Sequence, residues 1–175
     1  MPLQISEKVL ALAAQAQADV AEQFGRIDAI AEENTRKVLS AFQKHRVAEA
    51  HFAGTTGYGY DDLGRDTLDQ IYADIFGTED ALVRLQLVNG THAISCALFG
   101  ALKPGDILVS AVGAPYDTML GVIGVVDKGP GSLKSYGIEY QQVELLDNAP
   151  DPAGLAEAVK NPRVKAVLIQ RSKGY

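Results

Sequence analysis

Residues 89–124 read NGTHAISCALFGALKPGDILVSAVGAPYDTMLGVIG, and this stretch decides the fold. Thr91–Leu102 has the texture of an apolar helix. Lys103-Pro-Gly-Asp106 is a turn, because proline presets φ and glycine supplies a positive one. Ile107–Val112 is a short apolar strand, and a second helix runs from about Tyr116 to Gly124. A helix, a turn, a strand and a helix in that order belong to an α/β domain.

The alternation continues in both directions. Upstream, the apolar run Ala81–Val88 is a strand candidate. Downstream, Asp127–Gly137 is a glycine-bearing loop, Glu139–Leu145 a strand, Pro152–Lys160 a helix and Val164–Gln170 a strand. The resulting βαβαβαβ order predicts a largely parallel sheet. Before this, the first fifty residues read as helix. Ser6 is a candidate N-cap with Glu7 in the first turn, and Val9, Leu10, Leu12, Ala13, Ala16 and Val20 follow at helical spacing. Gly25 is a candidate break. Ile27, Ile30, Ala31, Thr35, Val38, Leu39 and Phe42 form a second stripe, opposite a solvated face of Glu32, Glu33, Arg36, Lys37 and Lys44. HFAGTTGYGYDDLG, from His51 to Gly64, is loop chemistry with four glycines. Leu68, Ile71, Tyr72, Ile75 and Phe76 mark a further helix stopped by Gly77. The domain reading is a helical segment at 1–50 followed by the α/β domain from residue 51.

Composition narrows the function. The 175 residues are 47% hydrophobic and 22% charged, enough for a globular core. A net charge of −6 argues against a general nucleic-acid binder, which needs a basic surface. One cysteine excludes an internal disulfide framework and a cysteine-rich zinc site. No secretory signal or membrane-length apolar run is visible, so a cytoplasmic setting is expected.

In parallel sheets, ligands bind beyond the carboxyl ends of the strands. After the first strand candidate come Asn89, Gly90, Thr91 and His92, opening a helix. Free N–H groups and the helix dipole favour an anion there, and the Thr91 hydroxyl can add a bond. The competing reading is an ordinary helix cap. Tyr116 follows the second strand at the same edge, where its ring could face a flat cofactor or simply pack at a helix start. Arg171 and Ser172 follow the last strand. His92 is either a site residue or structural, His45 is solvent-facing, and His51 borders the glycine loop. Cys96 is expected in the core. Asp61, Asp62 and Asp66 suggest a metal cluster at first sight, but solvent exposure or helix capping is favoured for want of further ligands. A Walker-type P-loop is absent, and Gly54–Gly59 lacks the strand and helix that a dinucleotide fingerprint requires.

Four segments then carry a resemblance: HFAGTTGYGYDDLGRDTLDQIYADIFG, NGTHAISCALFGALKPGD, GAPYDTMLGVIG and GSLKSYGIEYQQV. Together they resemble the methionine γ-lyase-like family also labelled aluminium resistance proteins. These are fold-type I enzymes dependent on pyridoxal 5′-phosphate and related to the cystathionine and methionine lyases. The resemblance implies that Gly90 and Thr91 hold the cofactor phosphate, flanked by Asn89 and His92, and that Tyr116 stacks on the pyridine ring. Tyr58 or Tyr60, with Arg65, falls where related lyases reach the cofactor phosphate of a neighbouring subunit. Two positions depart from the family. It usually has Arg-Pro-Gln where this chain has Arg84-Leu85-Gln86, and serine where it has Asn89.

What the resemblance implies is a carbon–sulfur lyase acting on a sulfur amino acid, a homodimer or homotetramer when complete. Tyr58 or Tyr60 would assist thiol departure, and Tyr116 would complete the site. An aminotransferase, aldolase or racemase could use the same cradle, and a non-catalytic assembly module is the alternative outside enzymology. None of the nine lysines has the context of the family's Schiff-base lysine. The expectation is therefore a truncated, inactive fragment of the large domain.

Overall fold

A computed structural model describes residues 4–55, 62–126 and 129–171. The chain forms two compact units, Met1–Arg84 and Leu85–Tyr175.

The first unit is helical. Helix α1 spans Glu7–Asp19 and α2 spans Ala21–Lys44. Ser6 is the extended N-cap of α1, but its side chain makes no capping bond. The break between the helices falls at Val20 (φ −108°, ψ 8°), not at Gly25, which lies inside α2. A missing side chain is tolerated in a helix interior at a cost of about 1 kcal/mol relative to alanine. A left-handed turn was not required there.

On α2 the charged face is solvated as expected, with Glu32–Arg36 and Glu22–Arg26 pairing one turn apart. The apolar stripe is exposed too. Helix α1 buries nothing, and α2 buries only Ala41 among the described residues. At the end of α2, His45 is not solvent-facing. Its side chain is 17% exposed and pairs with Asp74 at 2.6 Å, beside Lys44 at 2.7 Å. The carboxylate on α3 draws the imidazole inward, while the Lys44 side chain stays exposed.

Helix α3 spans Leu63–Phe76. Asp62 caps it, accepting from the Arg65 amide at 3.0 Å and the Thr55 hydroxyl at 2.8 Å. Those bonds, the Arg65 amide first, hold the Asp62 carboxyl below the usual carboxylate range. Asp62 is therefore a helix cap, while Asp61 lies outside the described residues. No metal-binding cluster of histidine, cysteine or carboxylates occurs among the described residues. Gly64 is required by close approach, since a Cβ there would sit 2.1 Å from the His51 carbonyl oxygen. Gly77 ends α3 in the left-handed region (φ 66°), as its sequence position predicted.

Ala81–Val88 is not a strand. The Val83 amide and the Arg84 guanidinium both donate to Asp69 Oδ1, at 2.8 and 2.7 Å. A carboxylate thus takes the amide that a neighbouring strand would have bonded, and Leu85 is 97% exposed.

The second unit is the α/β one. Helix α4 (Gly90–Ala101) leads through the Lys103–Asp106 turn to β1 (Ile107–Ser110). Then come α5 (Asp117–Ile123), β2 (Glu139–Gln142), α6 (Pro152–Ala158) and β3 (Val164–Leu168). The three strands are parallel in the order β2-β1-β3, with Val109 opposite Gln141 on one side and Val167 on the other. Parallel neighbours need crossovers, and α5 and α6 supply them. Strand β1 is central and at most 1% exposed at any residue, which is why ILVS shows no polar alternation. Leu98, Leu102, Leu108, Met119, Ile123, Leu133 and Ile138 form the core. Cys96 is exposed rather than in that core. Leu98 and Leu102, one turn apart, face inward, and two residues of helix turn Cys96 to the other side. The architecture is thus α/β, with six α-helices and a small parallel sheet among the described residues.

Candidate functional site

The site is built at the carboxyl ends of β1 and β3. After Ser110 the chain bends. The Ser110 hydroxyl, fully buried, donates to the Gly113 carbonyl at 2.6 Å. The Gly113 amide donates to Val143 beyond β2, and the Ala111 amide to Leu168 at the end of β3. Gly113 takes a positive φ of 71°, which permits this sharp exit. Pro115 and Tyr116 follow, and Tyr116 is the extended N-cap of α5. Its amide donates to Gln170 Oε1 at 2.8 Å, two residues past β3. Its ring is half-buried and packs against the core cluster.

Helix α4 begins beside this point. Asn89 is its N-cap, and Asn89 Oδ1 accepts from the His92 amide at 2.8 Å. The first backbone bond of the helix runs from Ala93 to the Asn89 carbonyl. The amides of Gly90 and Thr91 therefore precede the helical ladder and carry the positive end of its dipole. A Cβ on Gly90 would meet nothing within 4 Å among the described residues. Thr91 and Thr118 join the two helix starts, their hydroxyls 2.9 Å apart. The imidazole of His92 turns back instead, Nδ1 accepting from the Val88 amide at 3.4 Å.

The structure thus brings together Asn89, Gly90, Thr91, His92 and Tyr116, with Arg171 exposed next to Gln170. The grouping survives although the strand expected before Asn89 does not exist. Arg65 belongs to the helical unit, where its Nε is buried without a hydrogen-bond partner among the described residues and lies 3.7 Å from Asp66. Tyr58, Tyr60 and Ser172 lie outside the described residues. Two residues were not expected. Thr118 could have been suspected as a hydroxyl in the first turn after a strand exit. Gln170 could have been suspected as the polar end of the apolar run VKAVLI.

Chemically, two unladdered amides and a hydroxyl pair at a helix start suit a phosphate-like dianion. The half-buried Tyr116 ring offers a face for a flat heterocycle. An anion site and an aromatic face are the two features that a phosphorylated aromatic cofactor requires. The segments that meet here contain no lysine.

A family model described as methionine gamma-lyase matches residues 9–175. A carbon-sulfur lyase involved in aluminium resistance from Clostridium novyi NT is 47% identical, with a TM-score of 0.88 over 96% of this chain and 41% of that one. A candidate cystathionine β-lyase involved in aluminium resistance from Clostridium acetobutylicum is 49% identical, with a TM-score of 0.89 over 97% of this chain and 41% of that one. YnbB, an uncharacterised protein of Bacillus subtilis (strain 168), is 48% identical over 164 residues, 93% of this chain and 39% of YnbB. The chain spans about two fifths of the length of the relatives it matches.

Proposed function

The chain belongs to the methionine γ-lyase family, and we propose that it is the N-terminal part of a pyridoxal 5′-phosphate-dependent carbon–sulfur lyase acting on a sulfur amino acid. The observation that carries this reading is the meeting of the α4 start with the Tyr116 cap at the carboxyl ends of β1 and β3. It offers an anion cradle and an aromatic face together, and the solved relatives named as lyases share this fold at TM-scores of 0.88 and 0.89.

When bound, the cofactor supplies an electron sink for charge developing at the substrate α-carbon. The residues of this chain hold and orient it. The Gly90 and Thr91 amides face the phosphate at the positive end of α4, and the Thr91–Thr118 pair adds a hydroxyl donor. Asn89 caps the helix by taking the His92 amide on Oδ1, which leaves the Gly90 and Thr91 amides outside the ladder. Tyr116, its body packed on the core, would set the ring plane from one side. Arg171, exposed past β3, is a cation for an anionic group at the same edge. Arg65, in the first turn of α3, and Tyr58 or Tyr60 before it would reach the cofactor phosphate of a neighbouring subunit, in a homodimer or homotetramer. One of the two tyrosines holds the proton delivered to the departing thiolate sulfur. On this reading the cofactor-anchoring lysine is none of the nine in these 175 residues, and the 175-residue chain alone is expected to be inactive.

The test uses the full-length protein with pyridoxal 5′-phosphate and cystathionine or methionine. Release of a keto acid together with a thiol is expected, and release of neither overturns the lyase assignment. Turnover by the purified 175-residue chain would overturn its inactivity.

A further inference from the structure

We propose that Gln170 is a positioning residue that sets the place of Tyr116, and through it the spacing between the aromatic face and the anion cradle. The consequence for the cofactor rests on the reading under Proposed function; the tie itself rests on geometry alone.

The segment 111–116 is the only link between β1 and α5, and it carries the ring-bearing residue. On the β2 side it is held by backbone, Gly113 to Val143. On the β3 side, a backbone bond holds its start, Ala111 to Leu168. Its far end is held by a side chain, since the Tyr116 amide donates to Gln170 Oε1 across 54 residues of sequence. Pro115, immediately before, has no N–H and presets φ, so it cannot share this duty. Tyr116 itself is non-helical (φ −53°, ψ 147°), and its amide has no place in the α5 ladder.

The tie reaches further through α5. Two residues beyond Tyr116, the Thr118 hydroxyl meets Thr91 at the start of α4. Gln170, Tyr116, Thr118 and Thr91 therefore form one chain of bonds and backbone from the end of β3 to the anion cradle. Its length fixes how far the phosphate end of a ligand lies from the ring end. Gln170 acts through the Tyr116 amide. An acceptor of this length is what the position requires: glutamate keeps it, methionine removes it at nearly constant size, and asparagine falls one methylene short.

The experiment compares Gln170→Met, Gln170→Asn and Gln170→Glu in the full-length protein. One arm follows hydrogen exchange of the Tyr116 amide without cofactor. The other measures the dissociation constant for pyridoxal 5′-phosphate and the circular dichroism that the bound cofactor acquires. Gln170→Met and Gln170→Asn are expected to speed Tyr116 exchange, to weaken cofactor binding about tenfold and to reduce the induced dichroism. Gln170→Glu is expected to restore all three. If Gln170→Met does not fold, Gln170→Asn decides by the same criteria. Wild-type exchange and binding in both variants would overturn the proposal, as would a Gln170→Glu protein as impaired as Gln170→Met. Failure of the wild-type protein to bind the cofactor would instead overturn the reading under Proposed function. The exchange arm would still decide the tie, upheld if it responds to Gln170→Met and recovers in Gln170→Glu, overturned if it does not.

Discussion

Residues 4–84 and 85–171 use apolar residues in opposite ways. In the sheet region, every residue of β1 is at most 1% exposed, and its apolar neighbours on α4 and α5 close over it. In the helical region, α1 and α2 carry a comparable apolar periodicity, yet Phe24, Ile27 and Ile30 are all more than half exposed. Periodicity says which face of an element is apolar. It does not say what lies against that face. Where the covering elements are close in sequence, as β1 is to α4 and α5, the core closes locally and the site at its edge is held rigidly. Along α1 and most of α2 no such cover exists among the described residues of the region.

The largest expected contrast follows from that difference. Leu108 is fully buried in β1, whereas Leu12 on α1 is 70% exposed. Leu108→Ala removes packed atoms that the surrounding sheet cannot replace, at a cost of about 3 kcal/mol. Leu12→Ala exchanges one exposed helix former for a better one and stays within about 0.5 kcal/mol of zero. Urea unfolding followed by hydrogen exchange in residues 107–110 and in α1 measures both. Equal effects would mean that the two regions are packed alike.

Glycines sharpen the same contrast at a smaller magnitude. Gly124 ends α5 at φ 91°, and a Cβ there would sit 2.5 Å from Ser132 Oγ and 2.9 Å from Lys134 Cβ. Gly124→Ala therefore meets both a disfavoured backbone and a crowded loop, costing about 2 kcal/mol. Gly25 in α2 has nothing within 4 Å of its Cβ position, so Gly25→Ala gains about 0.8 kcal/mol of helix propensity. Opposite shifts in melting temperature are the expected outcome.

The sheet region was also the more legible in sequence. ILVS, VKAVL and the turn at Lys103–Asp106 declare themselves through apolar runs and turn chemistry, and the observed strands fall inside the expected ranges. EYQQ is mostly exposed, and its strand status comes from pairing with β1. Ala81–Val88 failed for a physical reason: an apolar run becomes a strand only if a ladder receives its amides, and Asp69 took one instead. The helix start at Gly90 and Thr91 was readable because a helix start announces itself locally. The Gln170–Tyr116 bond was not, since nothing local links residues 54 apart. His45 was misjudged likewise, because its partner Asp74 is 29 positions away.

That last pair supplies the smallest effect and probes the helical region alone. Lys44 donates to one oxygen of Asp74 and His45 pairs with the other, joining the end of α2 to α3. The Lys44 bond first, then His45, holds the Asp74 carboxyl below the usual range. A lowered folded pKa means that the unfolded chain binds the proton more readily. The contribution is therefore complete above the ordinary carboxylate value of about 4 and is lost as the pH falls through the lower, folded value. The pair lies at the surface, so water and salt screen it and the effect is small. Hydrogen exchange in α2 and α3, followed from pH 6 down to pH 3, should show protection holding and then falling below about pH 4. Asp74→Asn should flatten that limb while leaving residues 107–110 unchanged. A limb of the same depth in the variant would place the acid sensitivity elsewhere, with Asp62, capping α3 in the same region, the next carboxylate to replace.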